Sequence, residues 1–118
     1  MKVLINDCWG GFGFSEEFEI HIDSLTKDQI INKYELLARH NQFLVEEAIK
    51  FGLDKASGNF SELIVVDLPN GCEYKIHEYD GMESIEDIWI YVSKEDLING
   101  LSEQQMDMVL KGCSIKLK

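Results

Sequence analysis

The sequence predicts an α+β fold with a mainly antiparallel sheet, two helices in the N-terminal half and a helical segment near the C-terminus. Three observations lead there. Residues 63–68 are a dense apolar, β-branched run that ends at Pro69-Asn70-Gly71, a strand followed by a turn. Residues 14–23 and 72–78 alternate apolar and polar side chains, the period of a half-buried strand. Residues 41–52 and 102–112 open on capping side chains and close on glycine, as helices do.

The elements follow in order. Residues 1–6 read as a first strand, with Val3 and Ile5 opposing Leu4. Gly10-Gly11-Phe12-Gly13 then turns the chain into a hairpin with residues 14–23. In that second strand Phe14, Phe18, Ile20 and Ile22 oppose Glu17, Glu19, His21 and Asp23. Phe18, Ile20 and Ile22 are therefore expected on a buried face, with Glu19 and His21 in solvent. Ser24 or Thr26 caps a helix that runs to about Leu37, with Ile30, Tyr34 and Leu37 on one face. Asn41 caps a second helix that Gly52 ends; Arg39-His40-Asn41 is either a kink or the middle of one long helix.

In the second half, residues 63–68 are expected as a central strand and residues 72–78 as its hairpin partner, with Tyr74 and Ile76 on one face. Asp80-Gly81 makes another turn. Ile88, Trp89, Ile90, Tyr91 and Val92 mark a strand over 87–92. Ser93 and Ser102 are helix caps, and Ser102-Glu103-Gln104-Gln105 fits a capping box. Gly112 ends that helix, and 113–117 add a short last strand.

A chain of 118 residues with 45% hydrophobic side chains and one proline is expected as a single domain, 1–118. No apolar stretch approaches the roughly 20 residues of a membrane span, and the start lacks a signal-peptide pattern. A cytoplasmic protein is expected. Cys8, Cys72 and Cys113 are widely spaced and lack zinc-ligand spacing to any histidine, so no metal or cofactor is expected. They read as reduced, buried thiols; a Cys8 nucleophile helped by His77 or His40 is the catalytic alternative.

Charge is the strongest physical fact. The net charge is −11, from 22 acidic and 11 basic residues. Residues 7–26 carry Asp7, Glu16, Glu17, Glu19 and Asp23 and no lysine or arginine. Residues 76–93 carry Glu78, Asp80, Glu83, Glu86 and Asp87, again with neither. Direct nucleic-acid binding is disfavoured, because it needs Lys and Arg against phosphates. A basic protein partner is favoured, while a solvated face that only aids solubility is the plainer alternative.

Two glycine-marked segments carry further information. Asn6-Asp7-Cys8-Trp9-Gly10-Gly11-Phe12-Gly13-Phe14-Ser15 is no phosphate loop, since no Lys-Ser/Thr follows and Glu16-Glu17 would repel phosphate. Glu78-Tyr79-Asp80-Gly81 is the second. Trp9, Phe12 and Trp89 either pack in the core or stack on a base. Glu83, Glu86 and Asp87 lack the calcium-loop pattern and read as a solvated face.

Both segments resemble a family of small, uncharacterised proteins common in bacteriophage and prophage genomes. In that family a first strand runs into an Asn-Xaa-Cys/Tyr-Gly-Gly-Phe-Gly-Xaa-Ser turn. Further similar residues are Arg39, Leu44-Val45-Glu46-Glu47, Phe51-Gly52, Ala56-Ser57-Gly58, Leu63 through Pro69, and Glu78 through Glu83. The resemblance covers residues 1–15 and 39–83, about half of the chain. It implies a phage origin, a host-directed role in the host cytoplasm, and a helix after Ser15 where the alternation here predicts a strand. It supplies no catalytic residues.

Two functional classes follow. The first is a stoichiometric inhibitor of a host defence nuclease, or of another basic nucleic-acid-binding protein, in which carboxylates replace phosphates. Its contact residues are Glu78, Asp80, Glu83, Glu86 and Asp87, with Glu16, Glu17 and Glu19. The alternative is a small-molecule binder that sequesters a nucleotide signal. It would use Trp9, Gly10, Gly11, Phe12 and Arg39, the only arginine, in a pocket at a homodimer seam. No motif supports an enzyme.

Overall fold

The computed structural model describes residues 1–25 and 39–118, and its fold is α+β. The described chain divides into two compact units. The first unit holds Lys2–Asp67 and Glu78–Ser84. The second holds Met1, Leu68–His77 and Ile85–Lys118. No helix among the described residues is long and apolar enough to cross a membrane.

In the first unit, β1 (Lys2–Asn6) pairs antiparallel with β2 (Leu63–Asp67), from Lys2 opposite Asp67 to Asn6 opposite Leu63. Three helices accompany them: α1 (Glu16–Leu25), α2 (Gln42–Phe51) and the single turn α3 (Leu53–Ala56). The core is one cluster of Leu4, Phe14, Phe18, Ile22, Leu44, Val45, Ala48, Ala56 and Leu63.

The expected hairpin of residues 14–23 with the first strand does not form. β1 takes β2 as its partner, and residues 16–25 are helical. Phe18 and Ile22 are buried, but Ile20 is 62% exposed. The apolar spacing fits two periods, and local chemistry selects the helical one. Ser15 caps the helix: its Oγ accepts from Phe18 N (3.1 Å), and its carbonyl accepts from Glu19 N (3.0 Å). Glu16, Glu17 and Glu19 then fill the first turn, where negative charge suits the helix dipole. Phe18 and Ile22, four residues apart, share the buried face.

α2 follows the sequence closely. Asn41 accepts from Leu44 N (3.0 Å), and Gly52, at φ +97°, closes the other end. Arg39 is helical and His40 lies in a turn, so helical geometry is interrupted before Asn41 caps α2. Ser24 lies in the last turn of α1, where its Oγ donates back to His21 O (2.6 Å), so it does not cap a new helix. The remainder of that expected helix, from Thr26 to Leu37, lies outside the described residues.

The second unit is built on a three-stranded sheet of order β3-β4-β5. Its strands are β3 (Glu73–Tyr79), β4 (Met82–Val92) and β5 (Ser114–Leu117); the hairpin end Glu78–Ser84 belongs to the first unit. β4 and β5 are parallel, Trp89 opposite Ser114 through Val92 opposite Leu117, so the sheet is mixed. Two helices make the crossover, α4 (Lys94–Asn99) and α5 (Glu103–Leu110). Both open on a capping box, Ser93 with Asp96 and Ser102 with Gln105.

Residues 63–68 are therefore not a central strand, and β3 is not their hairpin partner. The turn chemistry accounts for this. At Pro69-Asn70-Gly71, Cys72 N reaches Pro69 O (3.3 Å) with only Gly71 at positive φ. Positive φ at the second central residue alone is the type II pattern, which two-residue β-hairpins disfavour. Asp80 (φ 52°) and Gly81 (φ 90°) are both positive, the pattern of a two-residue type I′ turn. That turn matches strand twist and gives β3 its partner in β4.

Two outcomes follow. Ile20→Glu should leave stability within about 0.5 kcal/mol, whereas Phe18→Ala should cost roughly 3–5 kcal/mol in denaturant unfolding. Equal losses would restore the strand assignment. The second concerns Asp96, whose carboxyl accepts from Gln105 Nε2 (3.2 Å) and Ser93 N (3.2 Å). Gln105 first, then the Ser93 backbone and hydroxyl, hold it below the ordinary aspartate range. A lowered native pKa contributes stability that is complete above the unfolded value and lost as pH falls through the native one. Gln105→Leu should raise the Asp96 titration midpoint followed by carboxyl NMR and shrink that acid-sensitive contribution.

Candidate functional site

The two glycine-marked segments meet inside the first unit. β1 delivers Asn6, which is fully buried, and the β3–β4 hairpin brings Gly81 to it. Asn6 Nδ2 donates to Gly81 O (2.8 Å) and Cys8 O (2.6 Å). Its Oδ1 accepts from Glu62 N (2.8 Å), so one side-chain amide ties together three chain segments. Its backbone N–H donates to Glu83 Oε1 (2.8 Å).

The close approach explains the glycines at two positions. A Cβ on Gly10 would stand 1.8 Å from Phe60 O. One on Gly81, at φ +90°, would stand 2.3 Å from Trp9 O. Both contacts are with backbone, which cannot move aside as a flexible side chain would. Ser61 Oγ donates to Gly11 O (2.6 Å) and Cys8 Sγ to Phe60 O (2.9 Å), fastening the loop further.

Behind the loop lies a buried ion pair. Arg39 Nη1 donates to Glu83 Oε1 (2.7 Å) and Nη2 to Glu83 Oε2 (2.9 Å), a two-pronged contact. The side chains are 10% and 9% exposed. Arg39 Nη1 also reaches Leu4 O (3.3 Å), and its guanidinium lies 3.4 Å from the centre of the Phe12 ring. Arg39 Nε is buried without a partner among the described residues.

These contacts sort the sequence-derived site residues. Glu83 is turned inward and holds Arg39, so it does not belong to an exposed acidic row. Reversing its charge would remove a brace of the fold rather than alter a surface. Glu78 and Asp80 are exposed at the hairpin end. Glu16 and Glu17 are exposed at the start of α1, and Glu19 is half-buried. In the second unit Glu86 and Asp87 are exposed, with Asp87 Oδ2 2.9 Å from His77 Nε2.

The residues of the small-molecule alternative are largely committed to one another. Arg39 and Phe12 are stacked, and Gly10 is pressed against Phe60. Trp9 remains 58% exposed and meets Tyr79 edge to face, ring centres 6.0 Å apart. A depression of about 420 Å³ in this unit lies instead at the start of α1, lined by Ser15, Glu16, Glu17, Lys55 and Asn59. Its carboxylates suit no nucleotide phosphate.

Sequence reasoning missed Asn6 and Phe60. Phe60 stands in Gly58-Asn59-Phe60-Ser61-Glu62, and a large aromatic among turn-forming residues was the available signal. The cysteines are free thiols. Burial first, and the neighbouring Cys113 thiol second, push the Cys72 thiol up. No cluster of three or more potential metal ligands occurs among the described residues.

Arg39→Met or Glu83→Met alone should destabilise the protein by roughly 3–5 kcal/mol, because each leaves a buried charge unpaired. The double variant should lose clearly less than the sum of the two in denaturant unfolding, and additive losses would show that the groups do not act as a pair. Comparison with protein-family models, with curated proteins and with solved structures finds no match for this chain.

Proposed function

We propose that the protein is a stoichiometric, non-catalytic inhibitor of a basic host protein, such as a defence nuclease, acting in the host cytoplasm. The observation that carries this is the Glu78-Tyr79-Asp80-Gly81 turn. Its two carboxylates are exposed on a backbone fastened by Asn6 and by close packing at Gly81. Carboxylates on a fixed turn lose little freedom when they meet Lys and Arg, so more of the Coulomb gain survives as affinity. The net charge of −11 adds attraction at long range and speeds encounter. The resemblance to phage proteins supports a target in host defence. Glu83 has no part in this contact, since its carboxylate already holds Arg39.

The test is capture of a basic protein from bacterial lysate, with heparin as competitor, followed by inhibition titrated against the purified partner. Inhibition should be complete at one-to-one stoichiometry, competed by heparin and weakened by added salt. Glu78→Gln with Asp80→Asn should weaken binding by roughly tenfold or more. Asparagine suits the positive φ at position 80, so the fold should hold. Unchanged affinity in this double variant, or binding indifferent to salt, would reduce the acidic residues to a solubilising role.

A further inference from the structure

Three large aromatic side chains stand in solvent in one part of the first unit. Trp9 is 58% exposed, Phe60 77% and Tyr79 77%. They are brought together by the contacts that fix the loop. Gly10, next to Trp9, abuts the Phe60 backbone; Gly81, two residues after Tyr79, abuts the Trp9 carbonyl; and the Trp9 and Tyr79 rings touch. Tryptophan is seldom left this open, and an exposed ring pair with a third exposed aromatic on the adjoining segment, all on a fastened backbone, is the composition of an interface hot spot.

The surroundings specify the partner. Residues 6–13, 58–62 and 78–84, which build the patch, contain no lysine, arginine or histidine. Each ring has a carboxylate within two residues: Asp7 for Trp9, Glu62 for Phe60, and Glu78 and Asp80 for Tyr79. All four are exposed, and Asp7 N donates to Glu62 O (2.8 Å), joining two of these segments. Ring faces carry negative potential, so rings and carboxylates attract the same ligand, a cation with apolar flanks. Bases of a nucleic acid could stack on the rings, but their phosphates would meet the carboxylates.

We infer that Trp9, Phe60 and Tyr79 form the anchor of the binding face, gripping arginine or lysine side chains of a basic protein partner while Asp7, Glu62, Glu78 and Asp80 neutralise them. The inference rests on the acidic-face proposal for its charge complementarity and adds the rings as the principal source of binding energy. An arginine guanidinium stacks on a ring and bonds a carboxylate at the same time, so arginine is the preferred side chain. The backbone contacts keep the rings in place before binding, which limits the ordering cost.

The test uses the full chain and two synthetic peptides of equal length and charge, one arginine-rich and one lysine-rich. Binding is followed by calorimetry and by the NMR signal of the Trp9 indole, assigned with Trp9→Phe. The arginine peptide should bind and shift that signal, and the lysine peptide should bind more weakly. Trp9→Ala and Tyr79→Ser should each weaken arginine-peptide binding by roughly tenfold. Phe60→Ser, at a 77% exposed position, repeats the test with little risk to folding. If all three ring variants bind like the wild type while Glu78→Gln with Asp80→Asn binds less, the aromatic anchor is overturned and the acidic face stands. If the ring variants fail and the charge variant does not, the anchor stands without the acidic-face mechanism. Free arginine or choline binding as tightly as the peptide would assign the patch to small cations and overturn a protein partner.

Discussion

The first unit depends on one buried contact, the pair of hydrogen bonds between Arg39 and Glu83. A guanidinium and a carboxylate joined at two points fit each other in one orientation. The pair therefore fixes where the β3–β4 hairpin end sits against β1, and the exposed turn inherits that placement. Phe12 covers the guanidinium, Leu4 offers it a carbonyl, and the Asn6 N–H shares the Glu83 carboxylate. The only arginine of a strongly acidic chain is thus spent inside the protein rather than on its surface.

The acidic residues consequently divide by use. Glu16, Glu17 and Glu19 occupy the first turn of α1, where they favour the helix whatever else they do. Asp96 completes a capping box, and Glu83 completes an ion pair. Glu47 faces His21 and Lys50. Glu78 and Asp80 remain outward on a fastened turn. Net charge alone does not define a surface, because part of it is consumed by local structure.

What was legible in the sequence was what is decided locally. Asn41, Ser93 and Ser102 cap helices because a side-chain oxygen needs only an amide two or three residues ahead. Asp80-Gly81 turns because those two residues tolerate positive φ. Residues 14–23 misled because Phe18 and Ile22 satisfy period two and period 3.6 alike, and Ser15 with its acidic neighbours was the deciding sign. Strand partners were not legible: a β-branched run states that it pairs, not with what. The Asn6 contacts were equally hidden, since a buried amide binds groups far along the chain.

The order in which the chain is made gives the Arg39–Glu83 pair a further meaning. β1, α1, α2 and β2 all precede Glu78–Ser84, so a ribosome delivers almost the whole first unit before its final piece. Until residue 83 emerges, the Arg39 guanidinium lacks its carboxylate, and Asn6 lacks the Gly81 carbonyl. The nascent unit is therefore left with an arginine it cannot bury cheaply. Completion of this unit is coupled to translation of the hairpin that carries Gly81 and Glu83.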